Sequence, residues 1–181
     1  MRPAVFLDRD GTLNHDIGWL HDFRDWVWIP GAIEALRLLN GSGYATVVDT
    51  NQAGVARGLY TEAHIAALHE LVAAEAAAAG ARIDAFYYCP HHPEFGDVRD
   101  CACRKPGPGM IVEAQRTLQI DLERSYIIGD RLSDVEAGRA AGVTGMLVKT
   151  GSGAEEYSTA PLDVPVFEDV LAAARFITGT R

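Results

Sequence analysis

The stretch "VFLDRDGTLN" (residues 5–14) decides the fold, because a short apolar run ends there in two carboxylates two residues apart. Val5 to Leu7 have the continuous hydrophobicity of a buried strand. Asp8 and Asp10 follow where that strand meets solvent, and two like charges so close together repel each other. A bound cation would relieve that repulsion, and an anionic substrate would complete the site beside the cation. The end of this strand is therefore the candidate functional site.

Four more apolar runs alternate with helical patterns along the chain. The runs are YATVV (44–48), AFYYC (85–89), SYIIG (125–129) and GMLVK (145–149), and the helical patterns cover residues 31–39, 61–80, 109–118, 133–142 and 168–176. Thr61 and Gly80 have the residue types of helix caps. Ser133 and Glu136 have the spacing of a capping box, with Gly142 closing that helix. The alternation predicts an α/β fold with a doubly wound parallel sheet.

Two segments interrupt the alternation, and both follow a predicted strand. Residues 11–29 hold all three tryptophans, and residues 89–105 are rich in Cys, His, Pro and Asp. Ligands of an open parallel sheet bind beyond the carboxyl ends of its strands, so insertions there can shape a binding site. We expect one domain over residues 1–181, without a large cap domain. Trp26 and Trp28 are expected to pack against the sheet, and a tight turn accounts for Gly11.

Composition limits the possible partners of the chain. The net charge of −9 and the lack of a basic track disfavour nucleic acid and anionic membrane surfaces. No window approaches the roughly 20 apolar residues of a membrane helix. The first residues reach Asp8 and Asp10 before any apolar stretch of signal-peptide length, so we expect no signal peptide. Three cysteines argue against a disulfide framework. We expect a cytoplasmic monomer that acts on a small molecule.

Polar residues follow three of the predicted strands. Asp8 and Asp10 follow the first, "DTNQAG" (49–54) the second and "GDRLSD" (129–134) the fourth. Because these ends meet at one edge of a parallel sheet, they predict one site. Asp8, Asp10 and Asp130 would repel one another without a cation, and hard carboxylate oxygens suit Mg²⁺.

The same residues resemble the haloacid dehalogenase (HAD) superfamily, the phosphatases with an aspartate nucleophile. "DRDGT" matches its D-x-D-x-T signature, and Thr50, Lys105 and "GDRLSD" follow in the order of its other motifs. The resemblance implies that Asp8 attacks phosphorus and that Asp10 is the acid and base. It also implies that Mg²⁺ is held by Asp8, the backbone carbonyl of Asp10 and Asp130, while Thr50, Asn51 and Lys105 bind the phosphoryl oxygens.

Three positions near these motifs allow more than one interpretation. Asp134 is either a helix N-terminal charge or an active-site residue that orients Lys105. Asp49 stands where the superfamily usually has an aliphatic residue, and it either faces away from the phosphate or perturbs the site. Arg131 stands where close relatives often have Lys, which keeps the charge and changes its geometry.

A second cluster lies in "CPHHPEFGDVRDCACRKPGPG" (89–109). Cys89, His91, Cys101 and Cys103 form a Cys3His set that tetrahedral Zn²⁺ accepts. Free thiols or a redox pair are the alternatives, and His92 would serve as well as His91 on chemistry alone. This loop resembles the zinc loop of D-glycero-D-manno-heptose 1,7-bisphosphate phosphatases and of histidinol-phosphate phosphatases. That resemblance implies a structural zinc bound by the first histidine of the pair.

The heptose enzymes are the closer resemblance, through "TNQAGVARGLYTEAH", "YYCPHHP", "CRKPGPGM" and "DIGWLHDFRDWVWIPG". It implies hydrolysis of the C7 phosphate of the heptose bisphosphate through an aspartyl-phosphate, in the synthesis of nucleotide-activated heptose for lipopolysaccharide. Histidinol-phosphate phosphatase and a non-catalytic zinc-stabilised binding module are the alternatives. The substrate-binding residues expected beside those already named are Asp16, Ile17, Gly18, Trp19, Gln52, Arg57, Arg104 and Arg131.

Overall fold

A computed structural model describes residues 1–180 as a six-stranded parallel sheet with helices on both faces. The strands are β1 (Ala4–Leu7), β2 (Ala45–Asn51), β3 (Ala85–Cys89), β4 (Tyr126–Gly129), β5 (Thr144–Val148) and β6 (Val166–Phe167). Their order in the sheet is β3-β2-β1-β4-β5-β6. The order reverses at β1, so the predicted doubly wound α/β fold is confirmed.

Six α-helices connect and follow these strands. They are α1 (Ala32–Gly41), α2 (Glu62–Ala78), α3 (Gly109–Leu118), α4 (Leu132–Ala141), α5 (Gly153–Glu156) and α6 (Val170–Thr178). Alternation along β1 sends Val5 and Leu7 into the core under α1 and α6, while Phe6 packs towards α3 and α4. Every residue of β1 is thus buried, which explains its unbroken hydrophobicity.

The ends of two helices test the predicted caps. Thr61 is the N-cap of α2, and Gly142 closes α4 in the left-handed conformation (φ +78°), as predicted. The predicted capping box of Ser133 and Glu136 is wrong. The helix begins at Leu132 with Arg131 as its N-cap, two residues before the predicted cap, and the Asp134 carboxylate accepts a hydrogen bond from the backbone N–H of Arg131 (3.0 Å). Ser133 therefore lies inside the helix, where it has no role as a cap.

The sequence pattern did not predict β6 or α5. Two partly buried residues form β6 at the edge of the sheet, next to β5. A run so short carries no periodicity, and its strand state depends on pairing with Leu147 and Val148. The four residues of α5 lie between β5 and β6, where the sequence shows no helical periodicity.

Both insertions lie beyond the carboxyl ends of the strands. In residues 11–29, Leu20 and Trp26 are buried against Leu68 and Val72 of α2, and the Trp26 and Trp28 rings meet edge to face at 4.9 Å. The expected packing of these tryptophans is confirmed. No large cap is present within residues 1–180, and in the same range no helix has the length and hydropathy to cross a membrane.

Candidate active site

Three neighbouring strands lead polar side chains into one cavity at the carboxyl edge of the sheet. β1 leads to Asp8, β2 ends with Thr50 and Asn51, and β4 leads to the buried Asp130 and then to Arg131, which lines the cavity. This is the edge where strand order reverses, the usual ligand position of such sheets. The cavity has a volume of about 390 Å³ and is lined by Asp8, Asp10, Asp16, Gly18, Trp19, Thr50, Asn51, Arg104, Lys105, Arg131, Ser133 and Asp134.

Lys105 is the charged centre of the cavity floor. Its buried Nζ donates to Asp8 Oδ1 (2.7 Å) and to the backbone carbonyl of Asp49 (2.7 Å), and it lies 2.7 Å from Asp134 Oδ1. Burial acts against the ammonium, yet the carboxylates of Asp134, Asp49 and Asp8 outweigh it and hold the pKa of Lys105 well above its ordinary value. Lys105 is therefore a fixed cation directly beside Asp8.

The buried carboxylates outnumber this cation. Burial raises the pKa of Asp8 well above its ordinary value, against the attraction of Lys105, and the other carboxylates add to the shift. Burial and the charge of Asp134 raise the pKa of Asp130 to about 7. Burial likewise raises the pKa of Asp49 to about 7. A group of buried acids with this surplus of negative charge favours a bound divalent cation.

The surroundings of Asp130 fit a metal ion. Its Oδ2 accepts a hydrogen bond from Ser152 N (2.7 Å), whereas its buried Oδ1 has no hydrogen-bond partner among residues 1–180. One carboxylate oxygen from each of Asp8, Asp130 and Asp134 lies within 4.8 Å of the other two. A Cβ on Gly11, at φ +88°, would lie 2.3 Å from Asp130 Oδ2, so glycine there provides the space as well as the predicted turn.

Asp10 is held by three donors rather than by Lys105. Arg9 forms a bidentate ion pair with it, and Asn14 Nδ2 and Gln52 Nε2 each donate to one of its oxygens (both 3.0 Å). Gln52 also donates to Thr50 Oγ1 (2.9 Å). The structure therefore places Gln52, expected at the substrate, beside Asp10 and outside the cavity lining.

The first insertion forms one wall of the cavity. Asp16, Gly18 and Trp19 line it, and Asp16 Oδ1 accepts a hydrogen bond from Gly18 N (2.7 Å). Ile17 is exposed and does not line the cavity. Arg57 also lies outside the lining, with its guanidinium 3.9 Å from the centre of the Phe95 ring.

Asn51 and Lys105, two of the predicted phosphate-binding residues, are hydrogen-bonded to each other in the cavity lining. Asn51 Oδ1 accepts a hydrogen bond from Lys105 N (3.1 Å), and Asn51 Nδ2 donates to Lys105 O (3.2 Å). Arg104 and Arg131 both line the cavity, and Arg104 Nη1 donates to the carbonyl of His91 (3.1 Å). Three cationic residues, Arg104, Lys105 and Arg131, therefore line one cavity, which suits an anionic ligand.

The structure shows the surroundings of Asp134 and Asp49, the two aspartates for which the sequence allowed more than one interpretation. Asp134 makes the contacts that both interpretations require, because one oxygen lies 2.7 Å from Lys105 Nζ and the other accepts a hydrogen bond from the N–H of Arg131, the N-cap of α4. Asp49 does not line the cavity. Its Oδ1 lies 3.8 Å from Lys105 Nζ, and neither carboxylate oxygen has a hydrogen-bond partner in the part of the chain that the structure describes.

The Cys3His set is assembled as one cluster. Cys103 Sγ lies 3.1 Å from Cys89 Sγ and 3.3 Å from His91 Nδ1, and Cys101 Sγ lies 3.6 Å from Cys89 Sγ. Four convergent S and N ligand atoms are the donor set that tetrahedral zinc takes. His92 points elsewhere, with Nδ1 accepting a hydrogen bond from Glu94 N (3.1 Å). The geometry therefore selects His91 over His92.

The sequence pattern missed three residues that support this site. Arg9 and Asn14 bind Asp10, and the backbone of Ser152 binds Asp130. The position of Arg9 between the two aspartates was a usable signal, because a charged side chain at a buried strand end needs a partner. Ser152 gave no signal, since its contribution is a backbone N–H.

Comparisons with known proteins agree with this site. The HAD-hydrolase-like family model matches residues 102–173. A curated D-glycero-beta-D-manno-heptose-1,7-bisphosphate 7-phosphatase of Photorhabdus laumondii is 47% identical over 82% of this chain and 81% of its own length. The enzyme of that name from Pasteurella multocida is 45% identical, and the alignment covers both chains completely.

A solved structure extends the agreement to three dimensions. The D,D-heptose 1,7-bisphosphate phosphatase from B. bronchiseptica, complexed with magnesium and phosphate, is 34% identical, with a TM-score of 0.89 over 98% of each chain. HAD phosphatases use Mg²⁺, which fits the buried carboxylates described above. The chain is thus a phosphatase that belongs to the heptose-1,7-bisphosphate 7-phosphatase family of the haloacid dehalogenase superfamily.

Proposed function

We propose that this chain hydrolyses the C7 phosphate of D-glycero-D-manno-heptose 1,7-bisphosphate through an aspartyl-phosphate on Asp8. The observation that carries the proposal is the pairing of Asp8 Oδ1 with Lys105 Nζ at 2.7 Å on the floor of the cavity. The ammonium fixes the direction of the carboxylate and offers positive charge to the incoming phosphoryl group. The names of the curated relatives support the choice of sugar.

In the first step, an oxygen of Asp8 forms a bond to phosphorus and the bond from phosphorus to the sugar oxygen breaks. Asp10 gives its proton to the leaving alkoxide. In the second step, Asp10 takes a proton from water, the water oxygen attacks phosphorus, and the acyl phosphate bond breaks to release inorganic phosphate and Asp8. Thr50, Asn51 and Lys105 would bind the phosphoryl oxygens.

Asp8, Asp130 and the backbone carbonyl of Asp10 would hold Mg²⁺. When bound, the ion neutralises charge on the phosphoryl oxygens, so that an anionic carboxylate can approach phosphorus. The unpartnered Oδ1 of Asp130 supports this assignment.

A structural Zn²⁺ would close the Cys3His cluster. Burial acts against the Cys101 thiolate, but hydrogen bonds from the Arg104 backbone and the neighbouring ligand side chains lower the pKa of Cys101 to about 7. Burial raises the pKa of Cys89 and of Cys103, so these two thiols would release their protons when zinc binds. Because Cys103 directly precedes Arg104 and Lys105, zinc would hold both cationic side chains at the cavity.

Asp16 and Trp19 support histidinol phosphate as a second candidate, since a carboxylate and an indole ring suit a cationic imidazole compound. Arg104 and Arg131 favour the bisphosphate, whose second phosphate adds two negative charges. We expect kcat/KM for the heptose bisphosphate to exceed that for histidinol phosphate at least about tenfold, or about 1.4 kcal/mol in transition-state binding.

The experiment compares both substrates at matched Mg²⁺, with each heptose anomer tested separately. Arg104→Ala should reduce the preference more than it reduces hydrolysis of 4-nitrophenyl phosphate, which has no second phosphate. Equal or reversed efficiencies would overturn the heptose assignment. Absence of phosphate release from every substrate, with Mg²⁺ and zinc bound, would favour the non-catalytic binding module.

A further inference from the structure

Arg9 is among the largest side chains that are completely buried in this protein, with 1% of its surface exposed. It lies between Asp8 and Asp10, and its guanidinium turns towards Asp10. Arg9 Nη2 donates to Asp10 Oδ2 (2.8 Å), and Arg9 Nε donates to Asp10 Oδ1 (3.2 Å). A buried ion pair stabilises a structure only when its geometry is good, and this paired arrangement meets that condition.

Two other parts of the fold hold the guanidinium. Arg9 Nη2 also donates to the carbonyl of Leu20 in the first insertion (3.0 Å), and Arg9 Nη1 lies 3.4 Å from His69 Nε2 in α2. Burial, reinforced by the charge of Arg9, lowers the pKa of His69 to about 3. The imidazole is therefore neutral at physiological pH and can accept a hydrogen bond. It is stacked on the Phe86 ring at 4.3 Å, which fixes its plane.

Neutral donors complete the surroundings of the Asp10 carboxylate. Asn14 Nδ2 and Gln52 Nε2 donate to it, and Gln52 is itself fixed by a hydrogen bond from the Tyr60 hydroxyl to its Oε1 (2.8 Å). Among residues 1–180, Arg9 provides the one ion pair that Asp10 makes. The direction of this carboxylate therefore depends chiefly on Arg9.

We propose that Arg9 is a positioning residue, which directs the Asp10 carboxylate at the phosphate cavity and couples that direction to the first insertion through the Leu20 carbonyl. The proposal rests on the proposed function, in which Asp10 is the general acid and base. The insertion that holds Arg9 also supplies Trp19 to the cavity wall. A lysine could not replace Arg9, because one ammonium lacks the planar fork that reaches both carboxylate oxygens and the two further acceptors.

The test uses two esters whose leaving groups differ in their need for a proton. The alkoxide of 2-glycerol phosphate needs a proton from Asp10, whereas the nitrophenolate of 4-nitrophenyl phosphate leaves without one. The parameter is kcat/KM, which does not include hydrolysis of the aspartyl-phosphate once the leaving group has departed. We expect Arg9→Lys and Arg9→Met to reduce kcat/KM for the glycerol ester at least about tenfold more than for the nitrophenyl ester, within the range of general acid catalysis.

A double-mutant cycle separates positioning from general damage. Asp10→Asn should show the same difference between the two esters, and adding Arg9→Lys to Asp10→Asn should add no further difference. Val72→Ala is the matched control, because it shortens a buried side chain in the hydrophobic cluster that contains Leu20, and valine has no side-chain group that could hydrogen-bond to Arg9. It should lower stability and leave the ratio of the two kcat/KM values unchanged.

The proposal would be overturned if the Arg9 variants lost kcat/KM equally on both esters. It would also be overturned if Arg9→Lys still lost more kcat/KM on the glycerol ester than on the nitrophenyl ester when added to Asp10→Asn. If Arg9→Met does not fold, Arg9→Lys and His69→Phe carry the test, the latter with a smaller difference of the same sign. If Asp10→Asn itself reduced kcat/KM equally for the two esters, Asp10 would not be the general acid, and the proposal for Arg9 would also be wrong. Failure of the chain to hydrolyse the heptose bisphosphate would overturn only the substrate assignment.

Discussion

Asp49 should make the protein less stable as the pH rises, and Asp49→Asn should abolish that loss. The carboxylate is completely buried in β2, and its two oxygens have no hydrogen-bond partner among residues 1–180. The charged groups that face it are Lys105, whose Nζ lies 3.8 Å away, and Asp134 of α4. Asparagine has nearly the same shape and does not titrate.

The magnitude follows from the pKa of Asp49, which burial raises from the ordinary 3.8 to about 7. Between these values the native state keeps a proton that the unfolded chain has released. The stabilisation from this proton is therefore complete below pH 3.8 and is lost as the pH rises through 7. From pH 5.5 to pH 8.0 the wild-type protein should lose about 2 kcal/mol in free energy of unfolding from this group alone.

The assay is urea denaturation of the wild-type protein and Asp49→Asn at both pH values, with Mg²⁺ and Zn²⁺ at saturating concentration. Both proteins contain the other titrating acids, so the comparison cancels most of their contribution. The free energy of unfolding of the variant, relative to wild type, should increase by about 2 kcal/mol between pH 5.5 and pH 8.0. A difference that does not change with pH would refute the raised pKa and the reasoning from burial.

Three further predictions concern the nucleophile and the two metal sites. Asp8→Asn should abolish phosphate release and retain the circular dichroism spectrum, because the amide has nearly the shape of the carboxylate but cannot attack phosphorus. Turnover of this variant near the wild-type rate would exclude the covalent mechanism. We expect elemental analysis to find one tightly bound zinc per chain in the wild-type protein. Cys101→Ser should lose this metal and lower Tm by several degrees, whereas His92→Ala should retain it. Gly11→Ala should weaken Mg²⁺ binding at least about tenfold by calorimetry, since its Cβ would lie 2.3 Å from Asp130 Oδ2. The control Gly43→Ala has a similar φ (+87°) and free space, so it should lower only stability, by about 1–2 kcal/mol.

The sequence by itself determined the fold class and the position of the site. Continuous apolar runs such as Val5 to Leu7 indicate strands buried on both faces, and alternation with helices leaves a parallel sheet as the simple solution. A parallel sheet has all its carboxyl ends at one edge, so residues at the ends of separate strands, such as Asp8, Thr50 and Asp130, had to converge. Hydrophobic periodicity and strand direction are local properties that can be read along the chain.

Only the tertiary structure decided which polar groups become partners. The contacts of Arg9 with the Leu20 carbonyl and with His69 depend on groups that different elements bring together. So do the lack of hydrogen-bond partners at Asp49 among residues 1–180 and the selection of His91 over His92. The strand state of Val166–Phe167 likewise depends on its neighbour β5. The sequence pattern could not specify these contacts, because a hydrogen bond depends on distances of a few tenths of an ångström between groups far apart in the chain, which packing sets.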